Sequence, residues 1–494
     1  MRTQGHILRT LRIVLASFFF VVITLLFLGI GGRFNIWFGW VAKVQFLPAL
    51  LALDFGILAI LIIVTLVFGR IYCSVICPLG IMQDIFSRFG KRHRFRYSPE
   101  KKGLRYTVLV VFIVCLIVGF APVTTLLAPY SAYGRIIQSI FRPVYDMLSN
   151  TLMVFDMRMG GYHIGYTEIW MRSIGTFAIA VLTFTGLGWL AWRHGRTYCN
   201  TICPVGTILS LFARVSLLRI QVDESKCNKC SLCERNCKAS AIDSKTGNID
   251  YSRCVVCGDC LATCKHGALE YKVFRSQHSD VSPEPDKKKR AFLTGASMAI
   301  GSVAIAQTKL KVDGGLAALS EKQKPQRKTP ITPPGSLSAH HMQRHCTACQ
   351  LCVSACPNNV LRPSSDLMRF MQPELSFERG FCRPECTVCS HVCPTSAIQP
   401  VQREDKTAIR IGHAVWVAEN CIPIANGDSC GLCARQCPAE AIMMVDYTAA
   451  DGRRIKVPAV DNERCIGCGK CEYLCPARPF SAIYVEGNET HHHE

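Results

Sequence analysis

Hydrophobic positions fall into two regimes along this chain. In the first two hundred residues they gather in long unbroken runs, near Leu11–Gly31, Pro48–Gly69, Tyr106–Pro129 and Met171–Trp192. Beyond them the apolar stretches are short and divided by polar turns. A helix needs about 20 apolar residues to cross a bilayer, so each long run predicts a span rather than a buried core helix. Basic residues orient the spans. Arg2, Arg9 and Arg12 precede the first, and Arg70, Arg88, Lys91, Arg92, Arg94, Arg96, Lys101, Lys102 and Arg105 crowd the loop after the second. Both segments are expected in the cytoplasm, and the loops at 32–47 and 130–170 outside.

A repeat organises this half. Gly69–Gly80 reads GRIYCSVICPLG and Gly195–Gly206 reads GRTYCNTICPVG. Each follows an outside-to-inside run, so residues 1–214 read as a four-helix membrane domain made from a duplicated helix pair. Residues 215–272 form a small polar domain. Residues 273–345 read as a linker, with Lys287–Arg290 leading into an apolar, small-residue segment at 291–306. That segment resembles an export signal and is borderline for a fifth span. Residues 346–488 form a last domain with short β-type segments such as Ala441–Val445 and Ile483–Val485, and 489–494 a tail.

Composition narrows the chemistry. The chain has 29 cysteines, and C-x-x-C spacing repeated in triplets points to metal rather than disulfides. Four quartets have the spacing C-x2-C-x2-C-x3-C: Cys227, Cys230, Cys233, Cys237; Cys254, Cys257, Cys260, Cys264; Cys346, Cys349, Cys352, Cys356; and Cys465, Cys468, Cys471, Cys475. Two variants complete the set, Cys382, Cys386, Cys389, Cys393 and Cys421, Cys430, Cys433, Cys437. Three thiolates on a tight loop cap one face of a 4Fe-4S cubane, and the fourth, a turn away, reaches the neighbouring cluster. Six repeated quartets argue against zinc, which paired C-x2-C also binds. They predict about six clusters in α+β bacterial ferredoxin-like domains.

The formal charge of +21 raises the question of nucleic acid. Many of the basic residues flank apolar runs, and no nucleic-acid motif accompanies them, so no nucleic-acid partner is expected. No C-x-x-C-H occurs and no histidine lies in a predicted span, so haem is not expected.

Cys73, Cys77, Cys199 and Cys203 stand as two C-x3-C-P pairs. An i, i+4 pair faces one way on a helix, and the repeat places both pairs at the cytoplasmic membrane edge. They are candidates for a cluster, another metal or a redox dithiol, against a structural reading as packed helix ends. Cys115, alone in an apolar run, reads as packing. Asp54 is the one carboxylate well inside a span. It is a candidate proton acceptor, or else a paired residue near a helix end.

With these motifs in view, residues 1–272 resemble the NapH-type quinol dehydrogenase membrane subunit. Residues 287–488 resemble its NapG/MauM-type exported ferredoxin partner. The second likeness rests on Lys289–Arg290–Ala291–Phe292–Leu293, Pro333–Pro334–Gly335, the four quartets in order, and CIGCGKCEYLCP at Cys465–Pro476. Lys289–Arg290 departs from the two arginines of a twin-arginine signal. The resemblance implies a multi-pass protein of the bacterial inner membrane that passes electrons from the quinol pool to an exported reductase or c-type cytochrome, an electron-transfer subunit with quinol dehydrogenase activity. Residues 215–285 are then cytoplasmic and 307–494 periplasmic. The alternative is an accessory copper or thiol reductase, or a maturation factor, for another redox enzyme.

Overall fold

In a computed structural model, which describes residues 2–30, 32–90, 95–159, 161, 165–167, 169, 171–273, 312–313, 317–318, 322–449 and 452–493, the first two hundred residues build a helical base. Its main helices are α1 (Arg2–Leu28), α2 (Phe55–Phe68), α3 (Pro78–Phe89), α4 (Lys102–Val118), α5 (Pro129–Ile136), α6 (Arg142–Arg158), α7 (Ile174–His194) and α8 (Pro204–Ala213). Two are long and apolar enough to cross a membrane, Gly5–Leu28 and Ile174–His194. The other two expected spans are shorter, 14 residues in α2 and 17 in α4.

Local chemistry explains the difference. Leu53 takes a φ of 55°, and Asp54 starts a new helix by accepting from the Ile57 N–H at 3.2 Å. The Pro48 run therefore breaks before α2. Gly119, left-handed at φ 79°, ends α4, and Pro122 opens a separate helix. The stretch 130–170, expected as a loop, contains α5 and α6 joined by a π-turn at Ile137–Phe141. The outward faces of the base are apolar, with Leu11, Val14 and Phe18 on α1, Ile60 and Ile63 on α2, Val114 and Ile117 on α4, and Leu182 on α7 all exposed. A band of that extent marks an apolar contact surface.

The sequence repeat is a structural one. Helix α2 runs through Gly69 into the short helix Tyr72–Val75 and then α3, and α7 runs through Gly195 into Thr197–Thr201 and then α8. Pro78 and Pro204 open the last helix of each unit, where a missing N–H is harmless. The closing glycines, Gly80 and Gly206, have a shared reason: a Cβ would strike the Cys73 carbonyl in one case and the Cys199 carbonyl in the other.

Two cysteine-rich lobes complete the chain. In the first, β1 (Leu218–Val222) pairs antiparallel with β2 (Leu269–Val273), Leu218 opposite Val273, and the cysteine loops lie between. In the second, β3 (Leu361–Pro363) pairs with β4 (Pro373–Leu375), β5 (Ile409–Trp416) with β8 (Ile483–His493), and β6 (Ile442–Thr448) with β7 (Arg454–Val460). Residues 322–338, expected as linker, lie along this lobe: Leu375 donates to Ile331 at 2.9 Å, Gly487 to Thr329 at 3.2 Å and His491 to Leu337 at 2.7 Å. Strand β8 extends through the expected tail to His493. The apolar segment 291–306 falls outside the described residues.

The lobes dock at opposite ends of the base. At the first lobe Arg9 pairs with Asp259 at 3.0 Å, and Asp84 on α3 gathers Arg12, Arg196 and Lys238 at 2.9, 2.6 and 2.8 Å. At the second, Arg172 donates to Val353 O at 2.8 Å and Arg142 to Ser354 O at 3.5 Å, while a Cβ on Gly29 would meet that same Ser354 carbonyl. Arg9 and Gly29 are some 20 residues apart on and just past α1, about 30 Å at the helical rise.

Two measurements check these contacts. Asp84→Asn leaves Arg12 and Arg196 without their carboxylate, Lys238 keeping Asp259 at 3.2 Å, and should cost roughly 3–5 kcal/mol, seen as an earlier thermal transition and looser protease protection of the first lobe. His491 is buried, with Nε2 2.9 Å from Thr332 Oγ1, and burial and then the neighbouring His493 and His492 lower its pKa to about 4. A folded pKa below the unfolded value contributes stability above about pH 6.5 that is lost as pH falls toward 4, at most about 3 kcal/mol. Protease cleavage of the 322–338 arm should therefore rise over that window, and His491→Gln should flatten the dependence.

Candidate iron–sulfur centres and the thiol site of the base

Each regular cysteine loop is built the same way. After its first cysteine, the second and fourth residues take positive φ: Lys229 and Ser231, Val256 and Gly258, Ala348 and Gln350, Gly467 and Gly469. A β-branched Val256 at φ 50° is strained. The curl points the thiols to one side of the loop, and the recurrence at equivalent positions ties the strain to that task.

The loops then exchange their last cysteine. Cys227, Cys230 and Cys233 line one cavity with Cys264, and Cys465, Cys468 and Cys471 line another with Cys437. The remaining sets follow the same rule. Cys254, Cys257 and Cys260 lie beside Cys237, and Cys346, Cys349 and Cys352 beside Cys393. Cys382, Cys386 and Cys389 face Cys356, and Cys421, Cys430 and Cys433 face Cys475. The runs are thus interlocked in pairs: 227 with 254, 346 with 382, 421 with 465. Among the described residues no three His, Cys, Asp or Glu converge on the space of a single ion.

Burial raises the pKa of several of these thiols. Burial is the main reason Cys254 is pushed up to about 12 and Cys257 to about 11, with neighbouring thiols adding to it. Iron binding must displace those protons. Backbone N–H groups already point at several sulfurs, from Ala241 to Cys237, Ala441 to Cys437 and Ala348 to Cys346, each at 3.4 Å. Buried Lys406 donates to Cys382 Sγ at 3.4 Å and to the Arg383 and Cys386 carbonyls. It closes the variant loop with the extra residue, a role that a lone lysine far along the chain does not announce.

In the base, Cys73, Cys77, Cys199 and Cys203 are all buried and come together across the repeat, Cys203 lying beside the other three. Two arginines bind the halves reciprocally: Arg70 donates to Cys199 O at 3.2 Å, and Arg196 to Cys73 O at 2.7 Å. Arg70 also approaches Cys73 Sγ at 3.7 Å, Gln83 donates to Cys199 Sγ at 3.2 Å, and the Gly206 N–H to Cys203 Sγ at 3.4 Å. Their signal in the sequence is the Gly-Arg that opens both repeats. Asp54 lies apart from these thiols, exposed at the N-cap of α2, and Cys115 sits part-buried in α4.

Thiol-only donor sets of four, on strained loops with N–H groups at the sulfurs, suit iron–sulfur clusters, and the paired loops define a polyferredoxin. The comparisons agree. A 4Fe-4S dicluster domain matches residues 428–478, and 4Fe-4S binding domains match 341–362 and the two base segments 54–96 and 173–222. The ferredoxin-type protein NapG of Escherichia coli (strain K12) is 30% identical over 228 residues, 43% of this chain and 93% of that protein. The methylamine utilization ferredoxin-type protein MauM of Methylorubrum extorquens is 30% identical over 202 residues, 38% of this chain and 84% of its own length. The MauM of Methylophilus methylotrophus is 34% identical over 151 residues, and the chain spans 66% of its length. No solved structure matches. This chain belongs to the ferredoxin-type 4Fe-4S family of MauM and NapG, and is an iron–sulfur electron-transfer protein.

The exchange of cysteines has a test in non-additivity. Cys393→Ser and Cys349→Ser strike the same set, so the double variant should lose no more iron than either alone, about four atoms per chain. Cys393→Ser with Cys386→Ser strikes two sets and should lose about twice as much. The opposite pattern in iron and sulfide analysis would return Cys393 to its own loop.

Proposed function

We propose that this chain is a membrane-embedded redox wire, taking electrons from quinol at the base and delivering them through six 4Fe-4S clusters to an exported reductase or c-type cytochrome. The carrying observation is the docking of the two cysteine lobes at opposite ends of the base, about 30 Å apart along α1, which is also the thickness of a bilayer's hydrocarbon core. The base then lies in the inner membrane, the first lobe (215–272) in the cytoplasm and the second (346–488) outside. Its base and first lobe act as a NapH-type unit fused to a NapG/MauM-type ferredoxin.

Each residue set has a task in that reading. The 24 quartet cysteines hold the clusters, which supply reversible one-electron chemistry when bound. Cys73, Cys77, Cys199 and Cys203 form an intermediate redox site between the lobes. Among the described residues, buried Arg70 has no carboxylate within bonding distance and approaches Cys73 instead, as suits an anionic thiolate centre. A cavity of about 550 Å³ lies where the first lobe meets α1 and α3, lined by Ile13, Phe20 and Ile85 together with Arg12, Arg88, Lys238 and Asp259. Apolar side chains and several charged groups in one cavity suit a quinol head group.

Two experiments test this. Replacing any of Cys73, Cys77, Cys199 or Cys203 by serine should abolish transfer from a quinol analogue to an outer acceptor while leaving about 24 quartet-bound irons in place. Unchanged transfer in all four variants would give these thiols a packing role. Protease added to intact spheroplasts should cut the second lobe and spare the first. Protection of both would put every cluster in the cytoplasm.

A further inference from the structure

Helix α5 meets the second lobe at the Cys349 loop. A Cβ on Gly134 would strike the Cys349 carbonyl and the Phe27 ring, so only glycine lets the two backbones approach this closely. Among the described residues, three buried polar groups of α5 have atoms without hydrogen-bond partners, Tyr130, Ser131 and Arg135, and the two large ones stand on either side of Gly134. Tyr130 is 2% exposed, lies beside Cys349 and Cys393, and its hydroxyl has no hydrogen bond. Arg135 is 1% exposed; Nη1 donates to Thr125 O at 2.8 Å and Nη2 to nothing. The ionisable groups its charge meets are Tyr198, which adjoins the base thiols, and Cys349.

A buried guanidinium without a carboxylate is costly, and a buried hydroxyl without an acceptor is costly too. Both costs vanish if an anionic acceptor sits against the Cys346, Cys349, Cys352 and Cys393 set. Four thiolates around a 4Fe-4S core leave a net negative charge that grows by one on reduction. A nearby cation and a donor to sulfur therefore favour the reduced form.

Resting on the reading that this quartet holds a cluster, we propose that Arg135 and Tyr130 raise its potential and that electrons enter the second lobe from the base at this centre. Arg135 stands between that quartet and Tyr198, and so between it and the four base thiols. Neither residue binds iron. They act on the electron's destination.

The test is a redox titration of the loaded full-length chain in nanodiscs, read by electron paramagnetic resonance and visible absorbance. Arg135→Gln should move one midpoint to more negative potential and leave the others, with iron and sulfide unchanged. Arg135→Lys should restore most of the shift. Tyr130→Phe, which removes one oxygen and keeps the packing, should move the same midpoint by less, and it decides the matter if the Gln variant fails to insert. Cys349→Ser should abolish that transition and no other of the second lobe. Unchanged midpoints in a fully loaded Tyr130→Phe or Arg135→Gln protein would overturn the proposal, as would a shift in a transition that Cys349→Ser leaves intact. Wild-type protein lacking this cluster's iron would instead sink the ligand reading beneath it.

Discussion

Every lobe of this protein is held by one constraint: a curled three-cysteine loop cannot complete a four-thiol set by itself. The fourth cysteine stands a turn beyond the loop and faces away from it, toward the partner run. Cys237 completes the set of Cys254, and Cys264 that of Cys227. Neither run of a pair can be withdrawn without opening the other's site. The strained backbone at Val256 and Ala348 persists because this exchange fixes both ends of each loop. Small sheets of two strands are marginal alone, and clusters held by the shared thiol sets would supply the missing cohesion.

The base solves a different problem, bringing four thiols and several cations together where water is scarce. It does so by symmetry. Arg70 and Arg196 each reach across to a cysteine carbonyl of the other repeat, and Asp84 offsets Arg196 while also holding α1 and the first lobe. The carboxylate that balances one buried arginine thus also sets the docking of a lobe. Among the described residues Arg70 pairs with no carboxylate; it donates to Asn200, to the Ser252 and Cys199 carbonyls and to Cys73 Sγ.

Much of this was legible from the chain. Cysteine spacing is dictated by ligand geometry, so the runs and the exchange of their fourth members could be read directly, and so could the repeat. The pairing of runs within 346–488 could not, because it depends on which loops the β-strands bring face to face. Span lengths were overread: apolar runs continue through Pro48–Asp54 and past Gly119, but a left-handed residue and a capping carboxylate break the helices there. The stretch 130–170 passed for a loop because its polar residues interrupt any apolar run of span length, although it folds into α5, buried throughout, and α6. Arg135 and Tyr130 carried no signal, since a buried unpartnered group looks like any other arginine or tyrosine until its surroundings are known.

The central claim is that the base thiols connect two lobes on opposite sides of a membrane. It is tested most directly by vectorial reduction in sealed proteoliposomes with the first lobe facing out. A membrane-impermeant reductant added outside meets only the first lobe, and cluster bleaching is followed by absorbance. A wire through the thiols requires the whole set, about six clusters at four thiolates each, to bleach in the wild type. In Cys199→Ser only the two of the first lobe should bleach. Full bleaching in that variant, or bleaching confined to the first lobe in the wild type, would contradict it.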